Sequence, residues 1–336
     1  MKKAVFLNEA PGTSVGRVYP EDLKAAISQR TDLHPVIIGR HNFLDAEIAP
    51  VLREAEIAFS TWGMPSFSEE EIAGSMPNLK AVLYGAGTVQ AFARPFLNRG
   101  ILVASAWVAN GVPVSQFTLA QILLANKGYF QSMAMAKDDR HAAGTFSSSF
   151  PGNYRVKVGL LGIGAIGTMV AELLKPFHFE VLAFDPFLSD EKAALLQVRK
   201  TDLDEVFSTC QTISNHLANL PATVGILHAK HFNAMLPDAT FINTGRGAQV
   251  VEADLADALK AVPTRTAVLD VTYPEPMLPD NPLFNLPNVF LTPHIAGSSG
   301  LEVIRMGEWM VEEFDRLERG EALKYEVTMK MLDTMA

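Results

Sequence analysis

Val158-Gly159-Leu160-Leu161-Gly162-Ile163-Gly164-Ala165-Ile166-Gly167 puts a G-x-G-x-x-G triplet directly behind a short apolar strand and at the head of an apolar helix. Each glycine has its own task in that setting. Gly162 permits a tight turn, Gly164 lets a pyrophosphate approach the backbone, and Gly167 lets the helix pack closely on the strand. The helix N-terminus, with Ala165 and Ile166 in its first turn, offers free N–H groups and the positive end of a dipole to phosphates. The next strand, 181–184, ends in Asp185, 23 residues beyond Gly162. A carboxylate at that point accepts hydrogen bonds from the adenosine ribose hydroxyls. Pro186 and Phe187 follow with no adjacent arginine for a 2′-phosphate, so the turn reads as a site for NAD rather than NADP.

Outward from this turn, short apolar strands alternate with amphipathic helices, the pattern of α/β layers on parallel sheets. The strands around the turn are expected at 156–161, 181–184, 212–214, 240–242, 267–270 and 289–291. Ahead of it they are expected at 4–7, 36–38, 57–60, 81–83 and 102–104, with helices near 20–29, 46–54 and 68–74. The last helix opens with Ser68-Glu69-Glu70-Glu71, a capping box in which Ser68 and Glu71 satisfy each other's backbone amides. This first series makes a flavodoxin-like domain. A long helix at 113–137 and a Gly/Ser/Pro-rich loop at 143–153 lead to the second series. A charged amphipathic helix, 300–319, precedes a tail to residue 336, and the sequence leaves open which domain that helix covers. The fold class is therefore α/β, with two doubly wound parallel-sheet domains.

Composition agrees. The 336 residues are 48% hydrophobic and 19% charged, enough apolar material for two buried cores and too little charge for a disordered chain. The 28 basic and 37 acidic residues leave a net charge of −9 with no basic block, which argues against nucleic acid or an anionic membrane as partner. The single Cys210 excludes a disulfide framework and a cysteine metal site, and suits a reducing cytoplasm. No His, Cys, Asp and Glu cluster has ligand spacing, so no metal is expected. The N-terminal apolar stretch 4–7 is too short for a signal-peptide core. The uncharged run 100–126 contains Asn110, Gly111, Pro113, Ser115, Gln116 and Gln121, so it reads as a buried helix of a soluble protein.

In a doubly wound sheet, ligands bind beyond the carboxyl ends of the strands. The polar residues there are Asp185, then Asn215-His216, then Asn243-Thr244-Gly245-Arg246-Gly247, then Asp270, Thr272-Tyr273-Pro274-Glu275-Pro276 and Thr292-Pro293-His294. Folding alone does not explain such a concentration. With GIGAIG, VLAFDP, NHLANLPATVGIL, INTGRGAQVVEADLADAL, VLDVTYPEP and LTPHIAG in this order, the run 158–297 resembles the D-isomer-specific 2-hydroxyacid dehydrogenase family. The resemblance implies a Rossmann NAD domain, 107–297, inserted into a flavodoxin-like substrate domain made of 1–106 and 298–336. It also implies a homodimer, for which the helix 113–137 offers an apolar contact.

Carried over residue by residue, the family's arginine falls on Arg246, its acid on Glu275 and its histidine on His294. A 2-hydroxy or 2-keto acid presents a carboxylate that a guanidinium can grip while polarising the neighbouring carbonyl. Hydride transfer at C2 must be matched by proton transfer at its oxygen, which imidazole serves near neutrality. Glu275 would orient His294 through its other ring nitrogen. The resemblance further implies cofactor contacts at His216, Leu217, Thr223, Thr244, Gly245, Asp270 and Gly297, with Asp270 on the carboxamide. His34, His41, His141, His178, His228 and His231 are read as structural or exposed.

In the first domain Tyr84-Gly85-Ala86-Gly87-Thr88 resembles the family's carboxylate-binding loop, whose successive N–H groups can form an anion nest. Trp62 and Met64, after the third strand, either wall a pocket for an apolar or bulky 2-substituent or pack in the core, and the sequence weighs the two equally. The sequence departs from the common pattern at Val89, Gln116 and Ala165, where the family often has Asp, Glu and Arg. These changes leave the hydride chemistry untouched and bear on substrate choice. The implied activity is NAD-dependent interconversion of a D-2-hydroxy acid and its 2-keto acid. The rival readings are a formate dehydrogenase-like enzyme, against which Glu275 argues, and a corepressor-like NADH sensor.

Overall fold

In the strand Lys2–Leu7 (β1), Ala4 and Phe6 join one apolar cluster while Val5 and Leu7 join another, so both faces of the sheet are covered. Period-two burial on both sides is what a parallel sheet between helical layers requires. The structure is a computed structural model describing residues 1–9 and 13–333; residues 10–12 and 334–336, including the end of the expected tail, lie outside the described residues.

β1 belongs to a unit formed by Met1–Asn110 and the chain from Ser298 onward. Its other strands are Thr31–Leu33 (β2), Ile57–Ser60 (β3), Ala81–Tyr84 (β4) and Leu102–Ser105 (β5), all parallel in the order β2-β1-β3-β4-β5. That is the flavodoxin-like order. Helix Glu302–Glu318 covers one face, burying Val303, Met306, Met310 and Phe314 against Phe6, Phe59 and Leu83. After it, Val327 N–H donates to the Val103 carbonyl and the Ser105 N–H to the Tyr325 carbonyl, so the tail lies along β5. Which domain the last helix covers is thereby settled as the first.

The second unit is Gly111–Gly297. Its strands are Lys157–Leu161 (β6), Glu180–Phe184 (β7), Arg199–Lys200 (β8), Thr212–Asn215 (β9), Thr240–Asn243 (β10), Thr266–Leu269 (β11) and Val289–Leu291 (β12). Their order, β12-β11-β10-β9-β6-β7-β8, reverses direction between β6 and β9. This is the Rossmann arrangement, whose ligands sit at that reversal. The units divide after Asn110, inside the helix Trp107–Ala125.

Three local expectations are corrected. The second strand is Thr31–Leu33 rather than 36–38: the ladder runs to the His34 N–H on the Ala4 carbonyl, and the next donor to β1 is Ile38, on the Phe6 carbonyl, so residues 35–37 bulge out and only an isolated Ile38–Leu7 bridge follows. The helix expected at 113–137 starts at Trp107 and ends at Ala125, a second helix running Tyr129–Asp138 after Gly128, whose φ is 66°. Asn126, fully buried, leaves the helix to accept from the Thr212 hydroxyl at 2.7 Å. The loop expected at 143–153 is helical over Arg140–Ser147, because Asp139 caps the amides of His141 and Ala142. The two-residue edge strand β8 was not expected. By length and composition Trp107–Ala125 could cross a membrane, yet half of it is buried, with Ser115, Thr118 and Gln121 inside. The Ser68–Glu71 capping box is present as expected.

Candidate active site

β6 delivers the glycine turn to the reversal of the sheet. Gly162 has φ 86°, and a Cβ there would stand 2.7 Å from the His216 carbonyl oxygen. A Cβ on Gly167 would collide with the Gly162 carbonyl, whereas one on Gly164 would meet nothing within 4 Å. Two of the glycines therefore serve the fold, and the third leaves open space above the N-terminus of helix Ala165–Leu174. The amides of the first helical turn have no acceptor along the helix. The residues present thus fit a dinucleotide pyrophosphate.

Asp185, just past β7, accepts from the Ile163 N–H at 2.6 Å and the Phe187 N–H at 2.8 Å. Opposite, Lys192 Nζ donates to the Ile163 carbonyl at 2.8 Å. Sequence reasoning missed this lysine because it stands one strand-to-helix loop away from the acid, on a helix whose cap, Ser189, accepts from the Lys192 amide. The only signal was the Ser189 cap, which orients that helix.

At the ends of β9 and β10 the polar groups bind one another. The His216 ring is within hydrogen-bond reach of the Ser214 hydroxyl at 3.0 Å and the Thr244 hydroxyl at 3.5 Å, and Thr244 meets Thr118 at 3.2 Å. Burial pushes the His216 imidazole down to about 3, so it offers no positive charge at neutral pH. Asn215 Nδ2 donates to Asn243 and Gln249, Gln249 donates on to the Leu217 carbonyl, and the Gly245 N–H donates to Asn243. Gln249, fully buried, was not anticipated. Thr223 Oγ1 closes its own short turn on Ala218 and Leu220.

Arg246 follows at the β10 rim, half-buried, with Nη1 on the Gly245 carbonyl at 2.8 Å. Burial lowers its pKa and the charge of Glu275 raises it, so the guanidinium and carboxylate share one electrostatic neighbourhood. The backbone explains this proximity. Gly247 has no room for a Cβ, which would overlap the main chain of Thr272, so the segment carrying Arg246 lies flat on the segment carrying Glu275. Glu252 holds the same loop by accepting from the Tyr273 N–H at 2.8 Å and from Asn281.

Glu275 Oε1 is 2.6 Å from His294 Nδ1, with both side chains about half exposed. No described residue bonds Nε2, which remains available. His294 has φ 55°, a conformation a non-glycine residue adopts only when its surroundings impose it. The imposing group is Asp270, 3% exposed, which accepts from Thr292 Oγ1 at 2.6 Å, Ile295 N–H at 2.8 Å and Ala296 N–H at 3.0 Å, while its carbonyl accepts the His294 N–H. Gly297 ends this turn and the unit. In the first unit, the Trp62 carbonyl is held by Asn8 Nδ2 at 2.7 Å and Ser14 Oγ at 2.9 Å, leaving the indole 39% exposed. Met64 instead packs on the apolar core, so core packing accounts for it. The Gly85 and Ala86 amides are bound to the Ser60 and Tyr84 carbonyls.

Residues 119–296 match the model of the D-isomer specific 2-hydroxyacid dehydrogenase family, NAD binding domain. The chain belongs to that family. The matched stretch lies inside the second unit and contains the glycine turn, Asp185, Arg246, Glu275 and His294. The chain is 30% identical over 267 residues to D-3-phosphoglycerate dehydrogenase of Archaeoglobus fulgidus, covering 79% of this chain and 50% of the relative. The same enzyme of Mycobacterium bovis is 31% identical over 245 residues, 73% and 46% of the two chains. The chain thus spans about half the length of the curated relatives it matches. Among solved structures, a phosphoglycerate oxidoreductase from Rhizobium etli shares the fold with a TM-score of 0.82 at 21% identity, covering 99% and 100% of the two chains. D-mandelate dehydrogenase from Rhodotorula graminis shares it at 0.76 and 20% identity, covering 97% and 98%.

Proposed function

We propose that the chain interconverts a D-2-hydroxy acid and its 2-keto acid with NAD, from a catalytic set of Arg246, Glu275 and His294. One observation carries this reading: the 2.6 Å contact of Glu275 with His294 Nδ1 beside a half-buried arginine that feels the same carboxylate. When bound, the nicotinamide supplies or accepts the hydride at the substrate's C2. Arg246 grips the substrate carboxylate and polarises the adjacent carbonyl, its positive charge made more potent by partial burial. His294 donates a proton from Nε2 to the keto oxygen in reduction and takes it back in oxidation, while Glu275 fixes the tautomer and stabilises the imidazolium.

The cofactor residues are assigned to the turn at Gly162–Gly167, Asp185, the rim from His216 and Leu217 with Thr223, and Thr244–Arg246, Asp270, His294 and Gly297. Asp270 has its carboxylate filled by Thr292, Ile295 and Ala296, so it also positions His294. Substrate contacts are assigned to Trp62 and the turn at Gly85, Ala86 and Gly87, besides Arg246. A homodimer in the cytoplasm completes the reading; it is supported by apolar Leu124, Tyr129, Met133 and Met135, each more than a third exposed on consecutive helices.

The test is a panel of 2-keto acids, including the 3-phosphohydroxypyruvate suggested by the curated relatives, scanned with NADH by absorbance, alongside light scattering for the dimer. The Arg246→Ala and His294→Ala variants should lose about 100-fold or more in turnover while NADH still binds by fluorescence. Near-normal rates in either variant overturn the roles, and NADH binding without consumption across the panel points to a sensor instead.

A further inference from the structure

Ser105 ends β5 fully buried, with its hydroxyl 2.9 Å from the Ala86 carbonyl and 2.6 Å from the Gly87 carbonyl. The neighbouring hydroxyl of Thr61 donates to the Gly85 carbonyl at 2.8 Å. Three successive carbonyls are thus turned into the protein by two buried hydroxyls. In a trans peptide the C=O and N–H of one plane point in opposite directions. The Gly87 N–H shares its plane with the Ala86 carbonyl, and the Thr88 N–H shares its plane with the Gly87 carbonyl. Both amides therefore point away from Ser105, to the same side.

These two amides have no acceptor among the described residues, whereas those of Gly85 and Ala86 are spent on Ser60 and Tyr84. A third donor stands beside them. Asn110 Oδ1 accepts from the Ser298 N–H at 2.9 Å, which fixes the amide group so that Nδ2 is the atom nearest the Gly87 α-carbon's open side, 3.8 Å from where a Cβ would be. Asn110 Nδ2 also lacks an acceptor, and the buried Ser298 hydroxyl has none either. Consecutive main-chain N–H groups aimed at one side form an anion nest.

We propose that Ser105 is a positioning residue: by holding the Ala86 and Gly87 carbonyls it aims the Gly87 and Thr88 amides, with Asn110 Nδ2, at the carboxylate of the substrate. The assignment rests on the oxidoreductase reading above and moves the anion contacts one residue along the turn from where the sequence places them. The role needs a buried hydroxyl within reach of both carbonyls, and serine provides it.

The experiment uses the full chain with a 2-keto acid turned over by the wild type, and oxamate as a carboxylate-bearing inhibitor. Ser105→Ala should raise both KM for the keto acid and Ki for oxamate about 10-fold, the worth of one lost hydrogen bond to a loop carbonyl. The kcat should stay within about threefold and KM for NADH should not move. Ser105→Thr, which keeps the hydroxyl, should restore both constants. Asn110→Asp keeps the acceptor for Ser298 but puts a negative charge at the nest, and should weaken oxamate further. If the alanine variant fails to fold, Ser105→Cys, of similar volume and with a weak donor, reads the same two ratios. Unchanged KM and Ki in a folded variant overturn the proposal while leaving the oxidoreductase reading intact. A wild type that neither turns over keto acids nor is inhibited by oxamate overturns both.

Discussion

Acidification should destabilise the second unit through His216, and the size of the effect follows from its surroundings. The imidazole is buried, its ring hydrogen-bonds only the Ser214 and Thr244 hydroxyls among the described residues, and it is held down to about 3 by burial, with no neighbouring charge contributing. In the unfolded chain the same ring takes up a proton near pH 6.5. Between those two values the unfolded state binds one proton more than the folded state, so stability falls as pH is lowered through that window and is fully present above it. From about pH 7.5 to about pH 5 the integrated loss is about 2 kcal/mol, and it holds for any folded value well below 5. The perturbation is His216→Gln, which keeps a hydrogen-bonding group of similar reach and does not titrate. Urea unfolding at the two pH values, followed by near-ultraviolet circular dichroism, gives a free-energy difference for each protein. The wild type should lose about 2 kcal/mol more than the variant on acidification, whatever stability the substitution removes at both pH values. Equal losses in the two proteins would refute the claim that His216 is buried as a neutral ring.

Two further outcomes separate fold from binding. Gly164→Ala should fold like the wild type, because its Cβ meets nothing, yet bind NADH about 10-fold more weakly, whereas Gly167→Ala should lower the unfolding midpoint outright; thermal unfolding and NADH fluorescence read the two effects. Burial pushes the Cys210 thiol up to about 12, so a thiol-specific disulfide reagent near neutral pH should label it only after denaturant is added, and rapid labelling of the native chain would contradict its burial.

Most of the Rossmann unit was legible because its glycine turn, its acid and its rim residues are fixed by short-range chemistry. The strand-end positions of Asp185, Arg246 and His294 follow directly from where the apolar runs stop. The errors arose where a long-range partner decides the outcome. Residues 36–38 look more strand-like than Thr31–Leu33, but the register on β1 is taken by 31–34, and residues 35–37 bulge out before Ile38 reaches the Phe6 carbonyl. The break at Gly128 was hidden by apolar residues continuing on either side; the chain turns there on the positive φ of Gly128, just after Asn126, whose side chain accepts from Thr212, 86 residues away. The helix Arg140–Ser147 was masked by Gly144 and the serines, since composition outweighed the cap at Asp139. Lys192, Gln249 and Ser105 escaped notice because each acts on main-chain carbonyls or amides, contacts that no spacing rule records. Asp270 was expected to serve the cofactor, and only coordinates reveal the three donors that tie it to the His294 turn.

The overlap of Gly247 with the Thr272 main chain has a bearing on how such a protein can change over generations. Because two stretches of backbone abut with nothing between them, the separation of the main chain next to Arg246 from the main chain leading to Glu275 is set by the polypeptide itself. Residues elsewhere on the rims are then at liberty to be replaced, reshaping what is admitted, while the reacting groups keep their relation. A lineage built this way can vary its lining by drift while these two main-chain segments stay in register.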